Sequence, residues 1–318
     1  MKRCIIPLLF FLSCVKETII FKGDFNTIIL SIENLEKTKK FIKNIFEKVQ
    51  FTPREEKIFE IFDFDSLKKN ERFLYRYYII VSTPSSKNFN FFKSIFGKVK
   101  ESGIYIKENP FLLGSFVIGI YGEREEEILR IISEGKDTIF KIFYNKMLSN
   151  LREIAYFPGI REDLSKKVKE KTEIKIKIPK GYNIFKEGEN YIVLLRHYPD
   201  RFVFFWKIDK KINLVPQEVI KLRNKFSKEV YRGDSVMMEF VKYEYKKING
   251  NLSLYLSGVW GNYNLKVGGG FESLVIERDG KTYFIDIGVY EPRKWKIKYL
   301  KMMESWAFFP EFENGENN

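Results

Sequence analysis

His197 is the only histidine among 318 residues, so any Ser-His-Asp or Cys-His relay in this chain has to run through it. It precedes Tyr198-Pro199-Asp200, a turn-forming run after an apolar segment, and reads as an exposed turn residue. With one histidine and two cysteines, Cys4 and Cys14, the chain lacks the ligands of a thiolate or histidine-rich metal site and of a disulfide framework. No metal, no cofactor and no catalytic residue is assigned. Carboxylates are numerous, and a pair of them suffices for glycoside hydrolysis. Glu277 and Asp286 fall on neighbouring strand-like runs, where alternation and solvent exposure account for both.

Gly233-Asp234-Ser235 has the residue order of the nucleophile motif of GDS-type lipases. That motif opens its fold and needs a later histidine, and none follows residue 197, so it is read as a turn. Gly268-Gly269-Gly270 would cradle a phosphate if it led into a helix N-terminus. A strand-like run, 271–277, follows instead, and a bulge or flexible loop is expected. Trp260, Tyr263 and Phe271 flank these glycines; with Tyr290 and Trp295 they have the makings of a pocket for a glycan or lipid. Core packing at a sheet end is the simpler use of such residues. The candidate ligand- or partner-binding set is Trp260, Tyr263, Gly268, Gly269, Phe271 and Tyr290.

The elements that must hold these residues follow from periodicity. Strands are expected over 27–32, 57–64, 77–83 and 115–121, and helices over 33–49, 89–99 and 123–156, the last interrupted by Gly135. Glu123, Glu125, Glu126 and Glu127 suit the positive end of that long helix, and consecutive positions fan round it instead of converging on a metal. Pro158-Gly159 marks a boundary, after which the texture changes. A basic helix is expected over 161–170, then Ile174, Ile176 and Ile178 alternate with lysines as a half-buried strand would. Strands over 191–196, 201–208, 238–246, 252–259, 271–277 and 281–289 follow, with Asn249-Gly250 and Asp279-Gly280 as hairpin turns. Helices over 217–231, opened by Pro216, and 294–308 complete the set. The fold class is α+β: two α/β-sandwich-like units, the second with an antiparallel sheet flanked by helices.

Composition supports a packed core, with 44% hydrophobic and 31% charged residues. The formal net charge is +14, densest over 166–180 and 293–301. A solvated lysine-rich surface explains it, because acidic residues are interspersed; attraction to anionic lipid or glycan is the sharper alternative.

The N-terminus carries the clearest address. Met1-Lys2-Arg3 precedes an apolar run over 5–12, broken by Pro7 and too short to span a bilayer. Phe11-Leu12-Ser13-Cys14 is similar to the bacterial lipobox, with Phe11 in place of the usual Leu. The expectation is a lipoprotein signal peptide over 1–14 with Cys14 as the acylated residue, a tether over 15–23, domains over 24–157 and 158–309, and a disordered tail over 310–318. Val15, where some lipoproteins carry an inner-membrane retention aspartate, favours the outer membrane. The body then lies in the periplasm or at the cell surface, which argues against a nucleic-acid partner.

Ile178-Pro179-Lys180-Gly181-Tyr182 and Lys186-Glu187-Gly188 resemble the start of the C-terminal region of an uncharacterised bacterial lipoprotein family, domain of unknown function forty-eight thirty-seven. Gly258-Val259-Trp260, Gly268-Gly269, Phe271, Gly288-Val289-Tyr290-Glu291-Pro292 and Met303-Glu304-Ser305 match its later motifs in order. The resemblance extends from about Thr27 to Phe308, and Arg223-Asn224-Lys225 departs from the family's Arg-Asp-Ser. It implies a lipoprotein of unknown role. The expected function is membrane-anchored, non-catalytic binding or assembly of an envelope protein, lipid or glycan; the alternative is an envelope hydrolase using paired carboxylates.

Overall fold

The computed structural model describes residues 21–230, 233–291, 293 and 295–312. Cys14 and the segment expected to be a signal peptide, 1–14, lie outside the described residues.

The chain opens with β1 (Thr27–Ser31), α1 (Glu36–Phe46), β2 (Val49–Phe51), β3 (Glu55–Lys57), β4 (Glu60–Asp63), β5 (Tyr77–Ser82), α2 (Phe89–Phe96), β6 (Gly103–Glu108), β7 (Phe116–Tyr121) and α3 (Glu125–Tyr156). Five of these strands form a sheet in the order β4-β1-β5-β7-β6, parallel except for β6. β1, β5 and β7 are buried along their whole length, as parallel strands covered on both faces must be. Ile28, Leu30, Tyr77 and Ile79 pack on one side with α1 and α3. Ile29, Tyr78 and Ile80 pack on the other with Phe92 of α2. α3 runs unbroken through Gly135, where a side chain would approach Ile104 Cδ1 of β6 to 3.1 Å.

The second half comprises α4 (Glu162–Thr172), β8 (Asn183–Glu187), β9 (Tyr191–Arg196), β10 (Asp200–Ile208), α5 (Pro216–Val230), β11 (Ser235–Ile248), β12 (Asn251–Asn262), β13 (Val267–Arg278), β14 (Lys281–Tyr290) and α6 (Ile297–Ala307). Its seven strands form an antiparallel sheet in the order β11-β12-β13-β14-β10-β9-β8. α4 and α6 cover one face, on which Val203, Leu274, Ile285 and Ile287 pack with Trp306. α5 covers the other, where Phe204, Phe271, Val275 and Phe284 pack with Phe226. The α+β architecture, with a helix-flanked antiparallel sheet, is as expected.

Two local expectations need correction. Residues 174–178 keep the alternating burial but join no sheet; Lys175 makes only an isolated bridge with Glu311. Gly268, Gly269 and Gly270 form neither a loop nor a bulge: they pair in unbroken register with Gly261, Trp260 and Val259. A side chain at Gly269 would come within 1.8 Å of the Val289 carbonyl oxygen, so glycine is what permits the close strand approach. Both ends of the described chain are packed. The Arg76 guanidinium lies 4.1 Å from the Phe21 ring, and Phe312 sits 4.9 Å from Tyr283.

Contacts between the halves run through α3, α6 and the β2–β3 hairpin. Tyr144 of α3 donates to Glu304 Oε2 of α6 at 2.6 Å. Glu56 of the hairpin accepts the backbone N–H groups of Lys296 and Ile297, both at 2.7 Å, and so caps α6 from across the molecule. No helix among the described residues is long and apolar enough to cross a membrane.

Candidate functional site

β14 is buried on both faces, so its one carboxylate, Asp286, has to be paired. The partner comes from α5, whose inward face carries Arg223 among Val219, Ile220 and Phe226. Arg223 Nε and Nη2 donate to Asp286 Oδ2 and Oδ1 at 2.6 and 3.0 Å, a two-point fork. Ser273, opposite Asp286 on β13, donates a further bond to Oδ2. The guanidinium lies 4.2 Å above the Phe271 ring. Asp286 is 5% exposed, which corrects its reading as a solvent-facing residue; Glu277 pairs with Lys211 at 2.6 Å.

One nitrogen of Arg223 is left over. Its Nη1 is buried and has no hydrogen-bond partner among the described residues. Arg223 and Asp286 line a shallow cleft of about 10 Å³, whose other walls are Phe202, Asp234, Trp260 and Gly288. Asp234, at the approach to β11, accepts from Asn262 Nδ2 at 2.7 Å. Burial raises the Asp234 pKa; Asn262 and Arg223 oppose the rise, and the charge of Asp286 adds to it. A methyl group at Gly288 would meet the Trp260 indole nitrogen at 3.6 Å, an ordinary contact, so bare Gly288 leaves the cleft open.

The fold brings together part of the candidate set. Trp260 walls the cleft, Gly269 pairs with it across the strands, and Phe271 underlies the guanidinium. Tyr290 places its ring 6.5 Å from Trp260. Gly268 lies one pair further out, opposite Gly261. Tyr263 is 85% exposed in the β12–β13 turn and does not line the cleft. Trp295 stacks under Arg54 elsewhere. His197 sits exposed, with Nδ1 2.7 Å from Asp200 Oδ1.

Arg223, Asp234 and Asp286, the polar centre, were missed. The available signal was a single acid in the run Tyr283-Phe284-Ile285-Asp286-Ile287, since an acid inside a two-sided apolar strand demands a cation. Chemically the site offers a donor without an acceptor and a carboxyl held partly towards its neutral form. Both oxygens of Asp286 are engaged, so Asp286 is not available as a base.

A second ionic cluster occupies the opposite face of the same sheet. Glu272, next to Ser273 on β13, accepts from Lys301 Nζ of α6 at 2.7 Å and from Gln50 Nε2 of β2 at 2.8 Å. Lys301 also reaches Glu304 at 2.8 Å. Burial raises the pKa of Glu272. Burial alone would lower that of Lys301, but Glu272 and Glu304 carry it well above its ordinary value. Neither the Arg223 cleft nor the groove beside Trp306 and Phe309 is lined by Glu272, Lys301 or Glu304.

Fold and site together define an α+β protein whose antiparallel sheet carries a small polar cleft under one covering helix. Residues 161–308 match the model of the family described as Domain of unknown function (DUF4837). The first half, included in the resemblance read from the sequence, lies outside the match. No curated protein matches the chain. Among solved structures, it is similar to cyanobacterial PsbP (CyanoP) from Synechocystis sp. PCC 6803, with 14% identity over 44% of this chain and 86% of that one and a TM-score of 0.31. The Saccharomyces cerevisiae Ran-binding protein Mog1p shows 8% identity over 44% of this chain and 90% of its own, with a TM-score of 0.32. A Bacteroides thetaiotaomicron VPI-5482 protein shows 11% identity over 46% of each chain, with a TM-score of 0.29.

Proposed function

We propose that this protein is an envelope lipoprotein, anchored through Cys14, that binds a saccharide-like group in the Arg223 cleft without transforming it. The buried Nη1 of Arg223, without an acceptor among the described residues, carries the reading, because such a donor is costly unless a ligand draws in to meet it. The cleft holds one cation and two carboxylates, which disfavours an anionic ligand. A neutral ring bearing hydroxyls satisfies both signs: it accepts from Arg223 and donates to Asp234. Aromatic Trp260 and Phe202 supply apolar walls, and the cleft has room for about one water-sized group, so the ring lies at its mouth and sends a single hydroxyl in. The lipid tether is supported by the order of charge, apolar run and Leu12-Ser13-Cys14, and the outer membrane as its site by Val15.

The test is calorimetric titration of the purified chain with a panel of neutral mono- and disaccharides. Binding by wild type that is lost in Gly288→Ala, with the melting temperature unchanged, is the expected outcome. No heat from any saccharide sinks the reading. A hydrolase is the second reading, favoured by the raised pKa of Asp234 beside Asp286. It predicts release of a chromophore from aryl glycosides that stops in Asp234→Asn.

A further inference from the structure

A second groove lies away from the Arg223 cleft, between the end of α3, α4 and the segment after α6, with a volume of about 500 Å³. Its lining carries five cations (Arg152, Lys166, Lys169, Lys175 and Lys177) against two acids, Glu162 and Glu311. Trp306 and Phe309 supply apolar surface beneath them, and Phe309 is 51% exposed.

The position of this groove is fixed relative to the N-terminus. Lys22 N–H donates to Leu74 O at 2.7 Å, and Phe21 rests on Arg76, so the chain joins the fold immediately before β5. The first residue of β5, Tyr77, accepts through its hydroxyl from Asn150 of α3 at 2.7 Å. Arg152 and Tyr156, a turn or two further along α3, line the groove. The point where the N-terminal segment arrives and the basic groove therefore share one end of the molecule. That end also exposes apolar side chains: Phe157 after α3 is 91% exposed, Ile154 50% and Leu113 in the loop before β7 73%.

We infer that this end is a membrane-docking face and that the groove takes the phosphate headgroup of an anionic phospholipid, an inference that rests on the Cys14 anchor of the preceding section. Six residues lie between Cys14 and Phe21, and the seven Cα–Cα steps span at most roughly 25 Å. An acylated Cys14 thus keeps this end close to the bilayer. Lysines near an anionic surface and exposed aromatic and aliphatic side chains at the interface reinforce one another. Phe157 and Leu113 enter the headgroup boundary while Lys166 and Lys177 meet phosphate.

The experiment uses the full chain with Cys14→Ser, so that acylation contributes nothing, and co-sedimentation with vesicles of pure phosphatidylcholine or of phosphatidylcholine containing phosphatidylglycerol. The expected result is binding that rises at least tenfold with phosphatidylglycerol and weakens with added salt. Lys166→Glu with Lys177→Glu should remove that gain, with circular dichroism unchanged since both side chains are exposed. Phe157→Ser should weaken binding to the same vesicles with no change in charge. Equal binding to the two vesicle types, as expected if the groove instead holds an acidic peptide, overturns the inference. So does a gain that survives the double reversal. Palmitate-analogue labelling of wild type against Cys14→Ser is read separately. Absent labelling removes the anchor even if phosphatidylglycerol selectivity persists, and labelling without selectivity removes the docking face alone.

Discussion

Glu272 and Ser273 are neighbours on β13, and strand alternation sends them into two ionic clusters on opposite faces of one sheet. On the α6 face, Lys301 is clamped between Glu272 and Glu304, and Gln50 and Tyr144 from the first half join the cluster. On the α5 face, Arg223 and Asp286 form a fork of similar burial, yet the guanidinium keeps a free nitrogen beside a cleft. The same device, a charge pair inside a sheet sandwich, ties the two halves together on one side and borders a cleft on the other. Each keeps one buried atom without a hydrogen-bond partner among the described residues, Glu272 Oε2 on one face and Arg223 Nη1 on the other; what separates them is the cleft that Arg223 lines.

The contrast breaks most visibly at Lys301. Lys301→Met leaves two carboxylates buried without their cation and should cost about 3–5 kcal/mol in urea unfolding at neutral pH. Adding Glu272→Gln and Glu304→Gln should recover most of that loss, because an apolar or neutral replacement of the whole cluster avoids the desolvation cost. Arg223→Ala should cost less, about 2–3 kcal/mol, because the cleft lets water reach Asp286 and Ser273 still donates to it. Equal losses for the two variants would mean that the cleft is as dry as the interlock.

The hairpin of β2 and β3 gives the next test. Glu56→Gln keeps the shape but weakens two charge-assisted bonds to the N-terminus of α6. A loss of about 1 kcal/mol is expected by the same unfolding measurement. Because α6 carries Lys301 and Glu304, the interlock should loosen with it, and amide exchange in α6 should rise while exchange in α5 stays unchanged. Parallel increases in both helices would erase the distinction between the two faces.

Sequence reasoning reached the repeating parts of this arrangement and stopped at the parts set by tertiary pairing. The unbroken apolar runs at 77–83 and 115–121, and the turns at Asn249-Gly250 and Asp279-Gly280, state their structure locally. β8 was invisible because all five of its residues are exposed, and β6 because most of its are; edge strands carry little apolar signal. The glycine run misled because a Gly-rich strand and a Gly-rich loop share a composition; only the 1.8 Å approach at Gly269 tells them apart. Trp260 and Phe271 were found as aromatic residues near a sheet end. Arg223 was not, because its role depends on a strand 63 residues away.

The smallest effect concerns protons in the open cleft. Asp234 has its folded-state pKa raised, by burial first and by Asp286 further down the order, above the ordinary 3.8. The folded state therefore binds the proton more tightly than the unfolded chain does. Stability is greatest below that ordinary value and declines as pH rises through the folded pKa. Asp234→Asn keeps an acceptor for Asn262 and removes the titration, so it should flatten this part of the stability–pH curve. Asp234 is only partly buried, and solvent screening should hold the difference below about 1 kcal/mol. Melting temperatures from pH 3.5 to 6 should show the variant gaining on wild type as pH rises. A saccharide bound against neutral Asp234 should bind more weakly over the same interval, whereas one that donates to the carboxylate should bind more tightly; the sign of that change tells which form of Asp234 the ligand meets.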